Sequence, residues 1–330
     1  AVWFWYELTI CYDKDKLLNI LIGNKMKQRT LKQEITATGV GLHSGERVNL
    51  RLLPAETNFG IAFRRTDLNG EQNRVIHLTP DLINDTRLSS TIVTDDGIRI
   101  GTIEHLMSAF CALGIDNILV ELDAPEIPIM DGSSLPFLYL LQSGGIIDQN
   151  AQKRFIKIKK DIEIIEQNKS VRFRPHNGFQ VSLRIDFDHP VFRKAPQHMT
   201  IDFAVSSYQE EIARARTFGF MQEVELMRTH NLGLGGNLTN AIVIDETEIL
   251  NTDGLRYDDE FVRHKILDAI GDLYVAGHQI IGAFEGVKSG HAINNALLRQ
   301  LLADETAFEW VTFSDNADLP RAFHALPKAA

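Results

Sequence analysis

The chain has 330 residues, a net charge of −10 from 34 basic and 44 acidic side chains, and a composition that is 44% hydrophobic and 24% charged. This is a globular protein with room for two domains, and its acidic balance argues against nucleic acid or an anionic membrane surface as the main partner. Its two cysteines, Cys11 and Cys111, exclude a disulfide framework and a cysteine-rich zinc site, and they fit a reducing cytoplasm.

Residues 1–25 differ from the rest of the chain. Ala1–Ile10 is aromatic and apolar and is interrupted by the charged Tyr12–Lys16 segment. The stretch lacks the charge order and cleavage site of a signal peptide and is too short to span a bilayer. It reads as an N-terminal extension, either upstream translated sequence or an accessory strand, and regular patterning begins at Met26. Val48, Leu50 and Leu52 alternate with Asn49 and Arg51, which predicts a half-buried strand. Asp95, Asp96 and Gly97 form a hairpin-turn signal. A helix is predicted over Thr102–Leu113, capped by Thr102 and stopped by Gly114, with a strand over Asn117–Leu122 after it. A second helix, Pro136–Ser143, ends at Gly144 and Gly145. The polar run Asp148–Lys153 is the predicted boundary between a first α+β domain (26–150) and a second (151–330).

Past that run, Arg154–Lys160, Ile162–Glu166, Val171–Arg174 and Phe179–Phe187 read as a strand meander. Helices are predicted near Gln209–Arg214 and Met221–Thr229, and a strand over Ala241–Asp245. A helix over Asp259–Ala276, a strand over Gln279–Phe284 and a helix over His291–Ala303 complete the chain. The order of elements is α+β rather than alternating βαβα. The halves look related: a helix opened by His105 ends at Gly114 and feeds Ile118–Leu122, and one opened by His264 ends at Gly277 and feeds Ile280–Phe284. A duplicated unit would give one histidine per copy to a site at the interface.

His264 and Asp268 lie four residues apart and share a helix face, with Asp272 one turn further along. Residue types alone leave two readings open, a solvated polar face or a pair of metal ligands. Glu104 and His105 would supply the third ligand, and a three-ligand site with an open fourth position is what metal-assisted hydrolysis needs. His291 adds a further imidazole. No His-Glu-x-x-His helix is present, so a zincin is unsupported. The phosphate-loop readings fail: Gly39–Gly45 has Ser44 where a third glycine is required and is followed by a strand, and Gly286–Ser289 lacks the preceding glycine. Gly233–Asn237 reads as a turn-rich loop that a ligand approaches closely. Arg214 and Arg216 are expected to face solvent. Beside a hydrolytic site, Thr217 could bond a developing oxyanion and Phe218 could stack on a sugar. Cys111 reads as core.

The segments Thr38–Gly45, Thr102–His105, Gly114–Asn117, Pro125–Gly132, Ala215–Phe220, Arg263–Asp272 and Lys288–His291 occur in one order. Together, from Met26 to about Pro327, the chain closely resembles the zinc-dependent UDP-3-O-acyl-N-acetylglucosamine deacetylases of Gram-negative bacteria. The resemblance implies two similar α+β domains, each a sheet packed on helices, with the helices sandwiched between the sheets and a small βαβ insert in the second. It implies removal of acetate from the 2-amino group of a 3-O-acylated UDP-sugar in lipid A synthesis. His105, His264 and Asp268 would bind Zn2+, and Glu104 would be the general base. His291, held by Asp272, would stabilise the oxyanion or protonate the leaving amine, and Thr217 would bond the oxyanion. Lys265, Phe218, Leu42, Leu88, Met221 and Gly236 would contact substrate, Phe218 on the glucosamine ring.

The acyl chain would follow the insert at about 218–241, which includes Met221, Val224, Leu232 and Leu234. Gly233 and Arg87 depart from the family's pattern. Whether Glu104 alone moves the protons or shares them with His291 stays open. The expected protein is a cytoplasmic monomer without stable membrane insertion, and its short apolar tail, Ala322–Ala330, reads as an end that a protease could recognise. The rival readings are a zinc deacetylase of another acetylated sugar and a non-enzymatic metal or sugar-nucleotide binding protein.

Overall fold

The computed structural model describes residues 26–204 and 206–324. The N-terminal extension and the last six residues of the tail lie outside them. The strand Arg47–Pro54 buries Val48, Leu50 and Leu52 and turns Asn49 and Arg51 outward, as the alternation predicts. It pairs with Ile35–Val40 on one side and Ile118–Leu122 on the other, and Ile61–Arg65 and Ile76–His77 complete a five-stranded sheet. Only the Ile118–Leu122 to Ile61–Arg65 pairing is parallel.

The second half repeats this plan. Ile162–Glu166, Lys169–Arg174, Ile280–Val287, Phe179–Arg184 and His198–Asp202 pair in the same order, again with only the third pairing parallel. Phe155–Ile158 and Phe308–Val311 extend the sheet at the start of Ile280–Val287. The predicted meander is therefore corrected. Ile280–Val287 is buried along most of its length and inserts between strands that are neighbours in sequence, because a strand covered on both faces belongs at the sheet centre.

The α-helices among the described residues are α1 (Glu104–Leu113), α2 (Leu135–Ser143), α3 (Pro190–Lys194), α4 (Tyr208–Glu211), α5 (Met221–Thr229), α6 (Glu260–Tyr274) and α7 (His291–Ala303). Helices α1 and α6 pack on each other between the two sheets; α2 lies on Ile35–Val40, and α7 lies on α6 and on Ile162–Glu166. The fold is α+β. Every residue of α1 except Ala112 is buried, the condition of a helix enclosed on all sides. At Gly271 of α6, a Cβ would lie 2.0 Å from the Glu104 carbonyl oxygen, so the two helices touch there backbone to backbone. None of the described helices is long and apolar enough to cross a membrane.

Gly114 stops α1 in the left-handed conformation, φ 64°, which costs glycine nothing. Thr102 does not cap the helix, contrary to expectation. Its φ is 56°, and its hydroxyl donates to Glu126 at 2.8 Å. The Glu126 carboxylate also accepts from the His43 and Ser44 amides, and an ionised acceptor outcompetes a helix end for the hydroxyl.

The polar run expected at the boundary belongs to an ordered strand. Ile146–Gln152 pairs antiparallel with Lys27–Leu31, and its polar residues Asp148, Asn150 and Gln152 are the exposed half of a period-two pattern. Lys153 is fully buried. Its ammonium donates to Asp116 at 2.6 Å and to the Gly114 carbonyl at 3.0 Å, a cation at the negative end of α1.

Each half carries an insertion before its main helix. The first is the three-stranded sheet Ile83–Asp85, Thr91–Val93 and Arg99–Ile100, with Asp95–Gly97 at its hairpin turn. The second is a small βαβ unit, in which Phe218–Phe220 and Ile242–Ile244 pair in parallel across α5.

Candidate metal centre and active site

Helix α1 presents Glu104 and His105 in its first turn, and α6 presents His264, Asp268 and Asp272 on successive turns. All five are at most 4% exposed. That removes the solvated-face reading, because a buried ionisable group persists only when paired, hydrogen-bonded or bound to a metal.

His105, His264 and Asp268 each offer a ligand atom within 4.8 Å of the others. Asp268 Oδ1 lies 3.3 Å from His264 Nε2 and 3.5 Å from His105 Nε2. Two ligands on a tetrahedral zinc with arms of about 2.0–2.1 Å stand roughly 3.3–3.4 Å apart. His264 Nδ1 lies 3.0 Å from the Ala215 carbonyl; donation there leaves Nε2 as a bare lone pair facing the carboxylate, the tautomer of a ligating histidine. Asp268 Oδ1 has no hydrogen-bond partner among the described residues, while Oδ2 accepts from Lys265 Nζ at 2.9 Å. A buried, unpartnered carboxylate oxygen set against two imidazoles fits a divalent cation between them.

The electrostatics agree. Burial drives the His264 imidazole down to about 3, which keeps it neutral. Burial opposes ionisation of Asp268, yet the Lys265 ammonium that donates to it holds its carboxyl well below the usual range. Burial also works against the Lys265 cation, but Asp268 and the other carboxylates nearby raise it. Glu104 is pushed up to about 7 by burial, with His291 and His105 pulling the other way.

His291 opens α7. Its Nδ1 lies 3.0 Å from both oxygens of Asp272, and its Nε2 lies 3.9 Å from Glu104 Oε1. Burial disfavours the imidazolium, but the Asp272 and Glu104 carboxylates outweigh it and raise the group to about 9. A cation and a carboxyl near neutrality thus face each other beside the three candidate ligands.

Thr217 lies between the halves: its amide donates to the Gly132 carbonyl and its carbonyl accepts from Ile242, both at 2.8 Å. Phe218 is edge-on to His264 at 6.2 Å, with Lys265 Nζ 5.8 Å from its ring centre. Leu42 and Gly236 are neighbours, and a Cβ at Gly236 would lie 3.4 Å from Leu42 Cδ1. The close approach expected in Gly233–Asn237 is made by the chain itself, since a Cβ at Gly235 would meet the Gly41 carbonyl at 2.1 Å. Met221 begins α5. Leu88 lines a cavity of about 340 Å³ between the two insertions, together with Leu226, Met227, Leu232, Arg87 and Arg99.

Residues 28–303 match the family UDP-3-O-acyl N-acetylglycosamine deacetylase. The chain belongs to this family. It is 70% identical over 301 residues to the UDP-3-O-acyl-N-acetylglucosamine deacetylase of Neisseria gonorrhoeae, covering 91% of this chain and 98% of the relative. The enzymes of the same name from Chromobacterium violaceum and Alcanivorax borkumensis are 61% and 55% identical, over 91% and 90% of this chain and 98% and 97% of theirs. Every candidate site residue falls within the matched span.

Sequence reasoning misjudged or missed some residues of the site. Arg216 is 2% exposed, not solvent-facing. Its Nε and Nη2 donate to Glu260 at 2.9 and 3.1 Å, and its amide donates to the same carboxylate. This pair ties the Ala215–Thr217 segment to the start of α6 and so places the Ala215 carbonyl against His264. Ser90 and Asn294 both donate to Asp272, at 2.6 and 2.9 Å. Neither a serine in a loop nor an asparagine in the first turn of α7 carries a local signal for such a contact.

Proposed function

We propose that the chain is a zinc-dependent hydrolase that removes the N-acetyl group of UDP-3-O-acyl-N-acetylglucosamine, a reaction of lipid A biosynthesis. The observation that carries this reading is the convergence of His105, His264 and Asp268 on a point flanked by Glu104 and His291, in a chain of the deacetylase family. Zinc held by those three residues would lower the pKa of water and polarise the amide carbonyl, which is otherwise a poor electrophile.

This chain's own groups supply the rest. Glu104 adjoins a ligand without being one, and with its proton affinity raised to about 7 it takes the proton of the attacking water. As the C–O bond forms, the Thr217 hydroxyl and the His291 cation offer donors to the developing oxyanion. The C–N bond then breaks as a proton passes to the nitrogen from His291 or Glu104, which releases acetate and the free amine. Asp272 holds the His291 ring. Phe218 packs on the glucosamine, and Lys265 contacts the polar part of the substrate. Leu42, Leu88, Met221 and Gly236 border the path of the acyl chain along the second insertion, with the cavity at Leu88 as supporting observation. A cytoplasmic location is supported by the sparse cysteines and by the described helices, none of which suits a membrane span.

Acetate release from the UDP-sugar with and without its 3-O-acyl group tests the reading. Turnover that depends on the acyl group is expected; equal rates on both substrates would remove the lipid A assignment.

A further inference from the structure

We propose that Ser90 is a positioning residue that sets the base and the imidazolium of the site relative to each other. Ser90 is 1% exposed and precedes Thr91–Val93, in the insertion of the first half. Its amide donates to Glu104 Oε2 at 3.0 Å, and its hydroxyl donates to Asp272 Oδ1 at 2.6 Å. One residue thus grips a carboxylate from each half.

Its own place is fixed. The Ile103 amide donates to the Ser90 carbonyl at 3.2 Å. Next to it, Ser89 Oγ accepts from the Thr102 amide at 3.3 Å and lies 3.1 Å from the Thr91 hydroxyl. Ser90 is therefore stitched to the N-terminus of α1, the turn that carries Glu104.

The geometry at Asp272 shows what the hydroxyl does. His291 Nδ1 is equidistant from both Asp272 oxygens, at 3.0 Å. That symmetry has one outside donor on each oxygen, Ser90 on Oδ1 and Asn294 on Oδ2. Without the hydroxyl, Oδ1 keeps only the shared imidazole, and the carboxylate turns toward Asn294, taking the His291 ring with it. On the other side, the Ser90 amide occupies Glu104 Oε2 and leaves Oε1 toward His291. The role lies in orienting groups that act in the chemical step, so its loss falls on kcat rather than on KM.

The inference rests on the deacetylase reading, and the test separates the two. Steady-state acetate release from UDP-3-O-acyl-N-acetylglucosamine is compared for the wild-type zinc protein, Ser90→Ala and Ser90→Thr, with bound zinc and Tm measured on each. Ser90→Ala is expected to lose about 10-fold in kcat with KM within about 2-fold, as removal of a partner behind a site residue does. Zinc content and Tm stay at wild-type values, and Ser90→Thr restores the rate. Wild-type kcat in Ser90→Ala overturns the positioning role. So does a rise in KM alone, or a loss of kcat that follows zinc or Tm and that threonine does not rescue. If Ser90→Ala does not fold, Ser90→Cys, a weaker donor of similar size, replaces it with the same two readings. A wild-type protein that releases no acetate refutes the reaction, and the positioning role falls with it.

Discussion

The two halves of the molecule share a scaffold and part company at the site. Over five strands the two sheets have the same order and directions. On the central strand of each, a glutamate pairs with an arginine of the neighbouring antiparallel strand, Glu121 with Arg51 and Glu285 with Arg172. A left-handed glycine follows each main helix, Gly114 at φ 64° and Gly277 at φ 71°. The chemistry is not repeated. Four residues after His264 comes Asp268, but four after His105 comes the buried Ala109; before His105 stands Glu104, but before His264 stands Arg263. Only the second half opens its next helix with an imidazole. Two equal His-x-x-x-Asp helices would supply four ligands and close a tetrahedral shell, the pattern of a structural zinc site. Three unequal ligands would leave a position for water and substrate, with Glu104 and His291, the proposed base and acid, in the places left over. Symmetry supplies the frame; its breaking supplies the reaction.

The largest effect should separate the two contributions. Glu104→Ala is expected to keep its metal and lose about 10²–10⁴ in kcat, the range for a positioned acid or base, whereas His264→Ala loses metal and turnover together. Zinc content measured beside acetate release decides this, and loss of zinc from Glu104→Ala would erase the distinction.

Next is the junction behind α1. Lys153→Met leaves Asp116 buried without its cation and should cost about 3–5 kcal/mol in urea unfolding, with kcat per folded molecule unchanged. A loss below about 1 kcal/mol, the size of an exposed pair, would mean that water reaches the pair. Smaller again is Gly271→Ala. The new methyl must push α6 from the Glu104 carbonyl, at about 1–3 kcal/mol for an overpacked contact, and the ligands of the two halves should part, which calorimetric zinc titration would register as weaker binding. Undiminished affinity would show that the crossing does not set the site.

The smallest effect is a pH profile. As the proposed base Glu104 must be ionised, so kcat/KM should rise as pH passes its pKa, about 7 without a bound cation and lower with one. In its proposed role His291 must be protonated, so the rate should fall as pH rises through about 9. Each limb changes the rate about 10-fold per unit outside the plateau. His291→Ala should lose the alkaline limb, and a limb that persists in that variant belongs to another group.

Local pattern carried much of the fold. Helices α5 and α7 occupy the residues that apolar spacing predicts, and the alternation at 48–52 gives its strand. The same reading placed His264 and Asp268 on one face and pointed to Glu104-His105 as the source of a third ligand, because those decisions need only helix geometry and residue chemistry; the choice of His105 came from the family resemblance. What escaped it depends on partners distant in sequence. Thr102 looked like a cap until Glu126 claimed its hydroxyl. Arg216 looked exposed because its partner, Glu260, is 44 residues away. Ile280–Val287 enters the middle of a sheet between Lys169–Arg174 and Phe179–Arg184, which precede it by about a hundred residues. Ser90 and Asp272 are 182 residues apart, and nothing local marks either for the other.

The central claim is that one zinc, held by His105 from one half and by His264 and Asp268 from the other, enables deacetylation. Zinc titrated into the chelator-stripped protein, with acetate release from UDP-3-O-acyl-N-acetylglucosamine measured at each addition, tests it directly. Activity should start near zero and rise linearly to a break at one zinc per chain. Full activity in the stripped protein, or no acetate at any zinc level, would contradict it.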